Sequence, residues 1–150
     1  MNNIDIRVKK VNENAKLPYH GSEFSAGYDL YACLNTESVT IPPHTNVKIG
    51  TGLAIEIPEG YFAGIFARSS MAMKEGLRPA NCVGVIDSDY RGEYMVPLFN
   101  DTDEEKIVNN YDRIAQLVVI PFLPLNFIET NEELSKTERN TSAFGSSGRN

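Results

Sequence analysis

The sequence has few residues that could form a disulfide framework or a metal cluster. Its 150 residues include two cysteines, Cys33 and Cys82, and two histidines, His20 and His44. These residues are scattered along the chain, and their spacing matches no zinc site. We therefore expect both thiols to be reduced and structural, as in a cytoplasmic protein.

The chain also lacks an excess of positive charge and any long apolar run. Its 14 Lys and Arg residues are outnumbered by 20 Asp and Glu residues, which gives a net charge of -6. Binding along DNA or RNA needs clustered cations, so the composition argues against a nucleic-acid partner, although a phosphate site needs only a few local donors. No apolar stretch approaches the ~18 residues of a membrane span, and the charged, alternating residues 1–10 do not resemble a signal peptide. We expect a cytoplasmic protein without a membrane partner.

The sequence does contain a repeated alternation of apolar and polar side chains, which is typical of half-buried strands. Ile4, Ile6 and Val8 show it first. Further strands are predicted at 47–49, 53–57, 61–66, 94–99, 114–122 and around 127–128. Turn signals separate them, and their spacing of about ten residues predicts an all-β barrel or sandwich. Pro97 falls inside one predicted strand and indicates an edge strand or irregular pairing.

One segment has the features of a short helix. It begins at Ser69 or Ser70, whose hydroxyl groups can cap free amides, and it ends at Gly76, a residue suited to a helix C-terminus. The strand pattern is lost beyond Glu129, and residues 131–150 are polar and end in a Gly- and Ser-rich stretch. This composition indicates a flexible tail. We predict one domain over residues 1–130 and a C-terminal tail over residues 131–150.

Five segments carry polar residues that core packing does not require, and the first two lie on predicted strands. Asp29 interrupts a buried strand, where a carboxylate needs a partner or a metal; the alternative is an aspartate facing water at a sheet edge. Arg68 comes just before the predicted helix start, a place that suits a phosphate group. The alternative there is an ordinary helix cap beside a surface arginine.

The third segment, residues 81–94, consists of two apolar stretches around a predicted hairpin turn. The turn contains Asp87, Ser88, Asp89 and Tyr90. Hairpin turns favour Asp and Ser, which explains Ser88 and one aspartate. The other aspartate and Tyr90 are left without a structural explanation, so this turn is a candidate site.

The last two segments interrupt a strand and the tail. Gln116 lies within a strongly apolar strand, and a buried amide must find hydrogen-bond partners. The alternative is a purely structural hydrogen bond, with Asp112 and Arg113 forming a local ion pair. Phe144 is an aromatic residue in a polar tail, and it has no use there unless it docks on something. An unstructured terminus is the alternative.

In this order and spacing, the five segments resemble the five motifs of the trimeric deoxyuridine triphosphatase (dUTPase) family. The matching sequences are GVIDSDYRG at 84–92, AGYDL at 26–30 and DRIAQL at 112–117, and the resemblance covers about residues 5–148. It implies an all-β, jelly-roll-like (β-clip) barrel with one short helix and a flexible C-terminal tail. It also implies a homotrimer whose active sites lie between subunits. The first, second and fourth segments would come from one subunit, the third from a neighbour and the fifth from the remaining one.

The resemblance also implies the reaction and the role of each residue. The reaction is hydrolysis of dUTP to dUMP and pyrophosphate, which keeps uracil out of DNA and supplies dUMP for dTMP synthesis. Asp87 would be the catalytic base, activating the water that attacks the α-phosphorus, and Asp29 would hold Mg²⁺ through water. The phosphates would be bound by Arg68, Ser69, Ser70, Gln116, Arg139, Gly145 and Ser146. The uracil and deoxyribose would contact Asn81, Gly84, Val85, Ile86, Tyr90 and Phe144.

Three other interpretations differ from this one in identifiable ways. The deoxycytidine triphosphate deaminases share the fold, but the position of their catalytic Glu aligns with Pro97 in this sequence. A nucleotide-responsive interaction protein would use the same fold for signalling, and the sequence does not discriminate against that as an added role. A structural jelly roll without chemistry would leave Asp87, Gln116 and Phe144 unexplained together.

Overall fold

The computed structural model describes residues 4–138, 140 and 141, and within them the chain folds almost entirely into short strands. In chain order the strands are β1 Arg7–Lys10, β2 Tyr19–His20, β3 Tyr28–Tyr31, β4 Ser38–Ile41, β5 Asn46–Gly50, β6 Leu53–Glu56, β7 Tyr61–Phe66, β8 Leu77–Pro79, β9 Val83–Ile86, β10 Met95–Asn100, β11 Lys106–Asn109 and β12 Arg113–Pro121. The all-β prediction is confirmed. No helix in this part of the chain is long and apolar enough to cross a membrane.

The strands form four antiparallel sheets. The largest has the order β2-β3-β12-β7-β9, a second has the order β5-β10-β8, and the pairs β1-β6 and β4-β11 complete the set. Over the described residues the sheets do not close into a single barrel, so the barrel of the resemblance is not seen in the isolated chain.

The core lies where the apolar faces of these sheets meet. Strand β10 shows the pattern that builds it: Val96 and Leu98 are buried, whereas Pro97 and Phe99 are partly exposed. Leu30, Ile41 and Ile114 are also fully buried, and burying each such side chain is worth about 1.5–3 kcal/mol. In β10, every second side chain is therefore buried, which is the two-residue period expected of a half-buried strand.

The third segment does not form the predicted hairpin. Strand β9 pairs with β7, with Val85 opposite Gly64, whereas β10 pairs with β5 and β8 in another sheet. Residues 87–94 therefore cross between two sheets. Because β9 is the last strand of its sheet, its outer edge has no strand partner among the described residues.

Pro97 does not lie on an edge strand, because β10 is the middle strand of its sheet. Proline is tolerated there because β8 ends at Pro79. A continued strand would need a hydrogen bond from an N–H group at position 97 to the Ala80 carbonyl, and proline has no such group. The Pro97 carbonyl accepts a hydrogen bond from the Ala80 amide at 2.7 Å. The Ala80 carbonyl, which a residue with an N–H group could have bonded, accepts from Arg78 Nη1 at 3.5 Å instead.

The predicted helix is a single π-helical turn, Met71–Glu75. Its C-terminus is as predicted: Gly76 has a left-handed φ of 65° and donates its amide to the Met71 carbonyl. The serine cap is wrong, because Ser70 already has helical angles and makes no side-chain capping bond. So short a turn offers no developed helix dipole to a phosphate.

The strand predicted around residues 127–128 is also absent. Strand β12 ends at Pro121, and the described residues beyond it form neither helix nor strand. Phe127 and Ile128 are 89% and 80% exposed. Among the residues that the structure describes, no strand pairs with this segment.

The two cysteines are unpaired but lie in different surroundings. Cys33 is half-buried, and burial is the main reason that its pKa is raised. Cys82 is exposed. Only Cys33 therefore fits the structural role predicted for both.

Candidate active site

The register of the largest sheet brings the first, second and fourth segments together. Gln116 on β12 lies opposite Asp29 of β3 on one side and opposite Phe66 of β7 on the other. Arg68 follows β7 at the same end of the sheet. Residues separated by more than 80 positions in the sequence therefore share one surface.

Asp29 is the centre of an ion-pair cluster at this end of the sheet. Its Oδ1 accepts a hydrogen bond from Arg68 Nε at 2.8 Å, and its Oδ2 accepts one from Arg113 Nη1 at 3.1 Å. Arg68 Nη1 also donates to the Arg113 carbonyl at 3.0 Å. The Asp29 side chain is 18% exposed and that of Arg68 20%, so the half-buried carboxylate has the partners that its position requires.

Arg113 is the functional candidate that sequence reasoning missed. The local ion pair with Asp112 is wrong, because Arg113 reaches across to Asp29, and the Asp112 carboxylate accepts hydrogen bonds from the Asn109 amide and side chain. The only available signal was the pairing of β12 with β3, which no local pattern reveals.

Gln116 is half-buried, and its amide has a partner, as predicted. Its Nε2 donates to the Ala67 carbonyl at 2.9 Å. Its Oε1 lies against Gly27, where an added Cβ atom would be only 2.4 Å away. Gly27 is therefore needed for the close approach of the glutamine, and the pair joins the first segment to the fourth.

Asp29 and Gln116 line an open cleft of about 690 Å³. Its walls include Ser25, Gly27, Asp29, Ala67 and Gln116. A volume of this size suits a small-molecule ligand. Ser69 and Ser70 are exposed and lie just before the π-helical turn.

The residues of the cleft fit a magnesium ion that is held through water. The described residues contain no group of three His, Cys, Asp or Glu side chains that could cage a metal. Both oxygens of Asp29 already accept hydrogen bonds, but a carboxylate has about four lone-pair sites. Mg²⁺ usually keeps several waters and shares substrate phosphates. The residues therefore fit an ion held by Asp29 through water.

Asp87 lies in a different setting, at the end of β9. It begins a turn in which the Tyr90 amide donates to the Asp87 carbonyl at 3.2 Å. The Asp87 side chain is exposed and forms no hydrogen bond or ion pair with any other residue that the structure describes. Its carboxylate oxygens are therefore free to accept a proton from a bound water.

Tyr90 and Tyr94 form an aromatic support next to this turn. Their ring centroids are 6.2 Å apart, and the Tyr94 hydroxyl donates to the Ile55 carbonyl at 3.1 Å. Burial raises the pKa of Tyr94 to about 12. The Tyr90 hydroxyl donates to the Glu93 carbonyl and lies 2.3 Å from where a Cβ atom of Gly92 would be. Only glycine at position 92 leaves room for this ring.

Four of the residues predicted to contact the uracil or deoxyribose lie on or next to β9, at the edge of the largest sheet. Asn81, Val83 and Val85 are exposed, with Val85 63% exposed. Gly84 and Ile86 are partly buried, and a Cβ atom at Gly84 would lie 3.2 Å from the Ile65 Cβ. An exposed strand edge offers backbone donors and acceptors to a ligand.

The structure does not bring Asp87 to the Asp29 cluster within one chain. Asp87 follows Ile86, which lies opposite Ala63, whereas Asp29 is level with Phe66. The two carboxylates are therefore about 13 Å apart along the strands and about 14 Å apart across three strand spacings. The predicted site residues Arg139, Phe144, Gly145 and Ser146 lie outside the described residues.

Comparisons with known proteins find relatives that match almost the whole chain. The family model described as dUTPase matches residues 13–148. A deoxyuridine 5'-triphosphate nucleotidohydrolase from Hydrogenobaculum sp. is 45% identical, covering 94% of this chain and 96% of the relative. One from Desulfitobacterium hafniense is 46% identical, covering 99% of each.

Solved structures are similar over most of the chain. A Staphylococcus bacteriophage 80alpha dUTPase with dUpNHpp has a TM-score of 0.87 and 28% identity, covering 97% of this chain and 99% of its own. A mutant dUTPase from phage phi11 of S. aureus, whose structure concerns the coordination of a structural Mg(II) ion, has a TM-score of 0.77 and 25% identity, covering 88% of this chain and 100% of its own.

Proposed function

The chain belongs to the dUTPase family, and from that premise we propose how its own residues hydrolyse dUTP. The activity is that of a dUTP diphosphatase, which converts dUTP and water to dUMP and pyrophosphate. The observation that carries the mechanism is the separation of two aspartates. Asp29 is fixed by two arginines at one end of the sheet, and Asp87 is free at the other.

In the proposed mechanism, Asp87 is the general base. Its unpaired carboxylate accepts a proton from the water that attacks the α-phosphorus. General-base assistance of this kind is worth typically ~10²–10⁴-fold. Asp29 is a poor candidate for the same role, because each of its oxygens already accepts a hydrogen bond from a guanidinium group.

The cleft around Asp29 is the proposed phosphate site. Arg68 has donors in a rigid fork that matches phosphate geometry, and Ser69, Ser70 and Gln116 add neutral polar groups. A Mg²⁺ ion, when bound, supplies neutralisation of the triphosphate charge. Asp29 would hold that ion through water, and it also orients Arg68 by their ion pair.

The edge of β9 is the proposed uracil site. Backbone groups between Asn81 and Ile86, including Gly84 and Val85, would pair with the polar edge of the base, as a further strand would. A site that hydrogen-bonds one polar edge rejects a mismatched one by about 10⁴–10⁵. Tyr90, supported by Tyr94, would pack under the deoxyribose.

We propose that the complete site forms between subunits of a homotrimer. A base acts only within hydrogen-bond reach of its water, and one chain keeps Asp87 far from the Asp29 cleft. The segment after β12 also exposes apolar side chains that an assembly would cover, including Leu123 at 82%, Leu125 at 72% and Phe127 at 89%. The cytoplasmic location and the role in dUMP supply stay predictions.

The tail, residues 131–150, is proposed to close over a neighbouring site, with Arg139, Gly145 and Ser146 on the phosphates and Phe144 on the uracil. Stacking of an aromatic ring on a base is worth ~1–3 kcal/mol. Removal of residues 139–150 should leave the trimer intact and lower kcat, as measured by pyrophosphate release. An unchanged kcat would exclude a lid.

A mixing experiment tests the shared site. The Asp87→Asn and Arg68→Ala variants, each inactive, would be unfolded together and refolded as mixed trimers. Random mixing should restore roughly a quarter of wild-type activity. A shared site takes Asp87 from one subunit and Arg68 from another, and both are intact in about one site in four. The control is the double variant refolded alone, which should stay inactive. No recovery in the mixture would place both residues in one chain's site.

A substrate panel tests the specificity. The wild-type protein with Mg²⁺ should release pyrophosphate from dUTP and far less from dCTP or dTTP. Similar rates on all three would contradict base recognition by the β9 edge, and ammonia from dCTP would indicate a deaminase.

A further inference from the structure

Arg91 is bound to the turn that carries Asp87, yet no step of the proposed mechanism uses it. Its Nη1 donates to the carbonyl of Ser88 at 2.6 Å and to that of Tyr90 at 3.0 Å. The same turn is closed by the Tyr90 amide, which donates to the Asp87 carbonyl. One guanidinium nitrogen therefore holds two of the four peptide carbonyls in residues 87–90.

The other end of the guanidinium group is tethered to a different sheet. Arg91 Nη2 lies 3.4 Å from Glu56 Oε1 on β6. Glu56 Oε2 pairs with Arg7 on β1 at 2.7 Å, and Arg7 and Glu56 are register partners in the β1-β6 ladder. The turn, which crosses between sheets, is thus fastened to a paired ladder of a third sheet.

The distribution of contacts separates Arg91 from the phosphate site. Arg91 lines a second cleft of about 350 Å³, together with Glu56 and Ser88, and that cleft shares no residue with the one around Asp29. The donors of Arg91 are directed at main-chain oxygens and a carboxylate of its own chain.

We propose that Arg91 is a positioning residue for the hydrolysis of dUTP, acting through the turn on Asp87 and Tyr90; this inference rests on the proposed function. The guanidinium fork is what the role requires, since it donates to two carbonyls and to Glu56 at once. An ammonium group is a point charge without that geometry. The charge of residue 91 is therefore not its contribution to the reaction.

The test compares the kinetics of Arg91→Lys and Arg91→Ala with those of the wild type. Urea unfolding midpoints close to that of the wild type would first show that both variants are folded. Both variants should lose about ten- to hundredfold in kcat, because a misplacement of about 1 Å can cost 10²-fold. Affinities for dUMP and for a non-hydrolysable dUTP analogue should fall by the same small factor. Arg7→Ala is the matched control, since Arg7 shares Glu56 and does not touch the turn, and its kcat should stay near that of the wild type.

A second readout does not depend on catalysis. Amide hydrogen exchange in residues 87–91 should be faster in both Arg91 variants and unchanged in Arg7→Ala. The proposal is overturned if Arg91→Lys keeps the kcat of the wild type, or if the variants lose affinity only for the triphosphate analogue. It is also overturned if hydrogen exchange in residues 87–91 is unaltered. A wild-type protein that releases no pyrophosphate from dUTP would instead refute the proposed function, and the exchange result would still stand.

Discussion

Asp29 and Asp87 have the same functional group and opposite surroundings. Asp29 is 18% exposed, and each of its oxygens is bound by an arginine. Asp87 is exposed, and among the described residues only its backbone makes hydrogen bonds. One carboxylate organises cations at the cleft, whereas the other is held by its main chain with its side chain left free.

The difference indicates how the protein divides two tasks that interfere with each other. Binding a triphosphate needs fixed positive charge, and a carboxylate that aligns arginines provides it. Accepting a proton needs an oxygen that no cation already occupies. Placing the two aspartates at opposite ends of the sheet keeps Asp87 away from the Arg68 and Arg113 of its own chain.

The largest expected effect is that of Asp87→Asn, because it removes the free carboxylate and changes little else. We expect kcat to fall by about 10²–10⁴-fold while dUTP still binds. Steady-state pyrophosphate release and the binding of dUTP to the inactive variant measure the two quantities. Asp89→Asn, two residues away in the same turn, is the control. A rate near that of the wild type would remove Asp87 from the role of base.

Tyr94, which packs beside Tyr90 next to the Asp87 turn, should make the free energy of unfolding depend on alkaline pH. The pKa of Tyr94 is raised to about 12 in the folded protein, compared with about 10 in an unfolded chain. Because the folded state favours the neutral phenol, this stabilisation is complete below about pH 10 and is lost as the pH rises to about 12, by roughly 2–3 kcal/mol.

Urea unfolding between pH 9 and pH 12 measures this contribution. Tyr94→Phe should flatten the curve over that range, since the buried phenol at position 94 is no longer there to ionise. Tyr90→Phe is the matched control, because the Tyr90 ring is 44% exposed, and its curve should keep the slope. Equal slopes in the wild type and Tyr94→Phe would contradict the prediction.

At the other end of the sheet, Asp29→Asn should lower both stability and affinity for dUTP. The change leaves Arg68 and Arg113 close together without their shared anion. We expect a loss of about 1–2 kcal/mol, less than for a fully buried pair because the cluster is partly exposed. Asp101→Asn is the control, as it breaks the more exposed pair with Arg78. If both variants lose equal stability, the Asp29 cluster is an ordinary surface network.

The smallest effect is expected for Gly27→Ala. The new Cβ atom would lie 2.4 Å from Gln116 Oε1, so the end of a flexible side chain must move. We expect a change in stability below about 1 kcal/mol and a rise of several-fold in KM for dUTP. In a Gln116→Ala background the same change should have no further effect, and a persisting effect would show that Gly27 acts independently of Gln116.

The sequence predicted the elements whose reasons are local. The strand predicted at residues 61–66 is β7, with the same bounds, and the left-handed Gly76 ends its turn. The need of Asp29 and Gln116 for partners was also predictable, because burial of a polar group requires them.

Three errors, at the predicted hairpin, at Pro97 and at Arg113, share one cause, which is that they depend on which distant strands pair. A turn with Asp and Ser does not reveal that its two flanking strands join different sheets. Pro97 is accommodated because β8 is short, and the partner of Arg113 is set by the register of β12 against β3. No local pattern contains this information.

The open edge of β9 has a consequence for how the specificity of the site could change. If main-chain groups read the base, replacing a side chain leaves the same donors and acceptors in place, and only proline deletes one of them. Single substitutions in residues 83–86 would therefore adjust the fit around a nucleotide without rewriting which base is accepted. The selectivity of such a site is stored in the peptide backbone, where point mutation has little access to it.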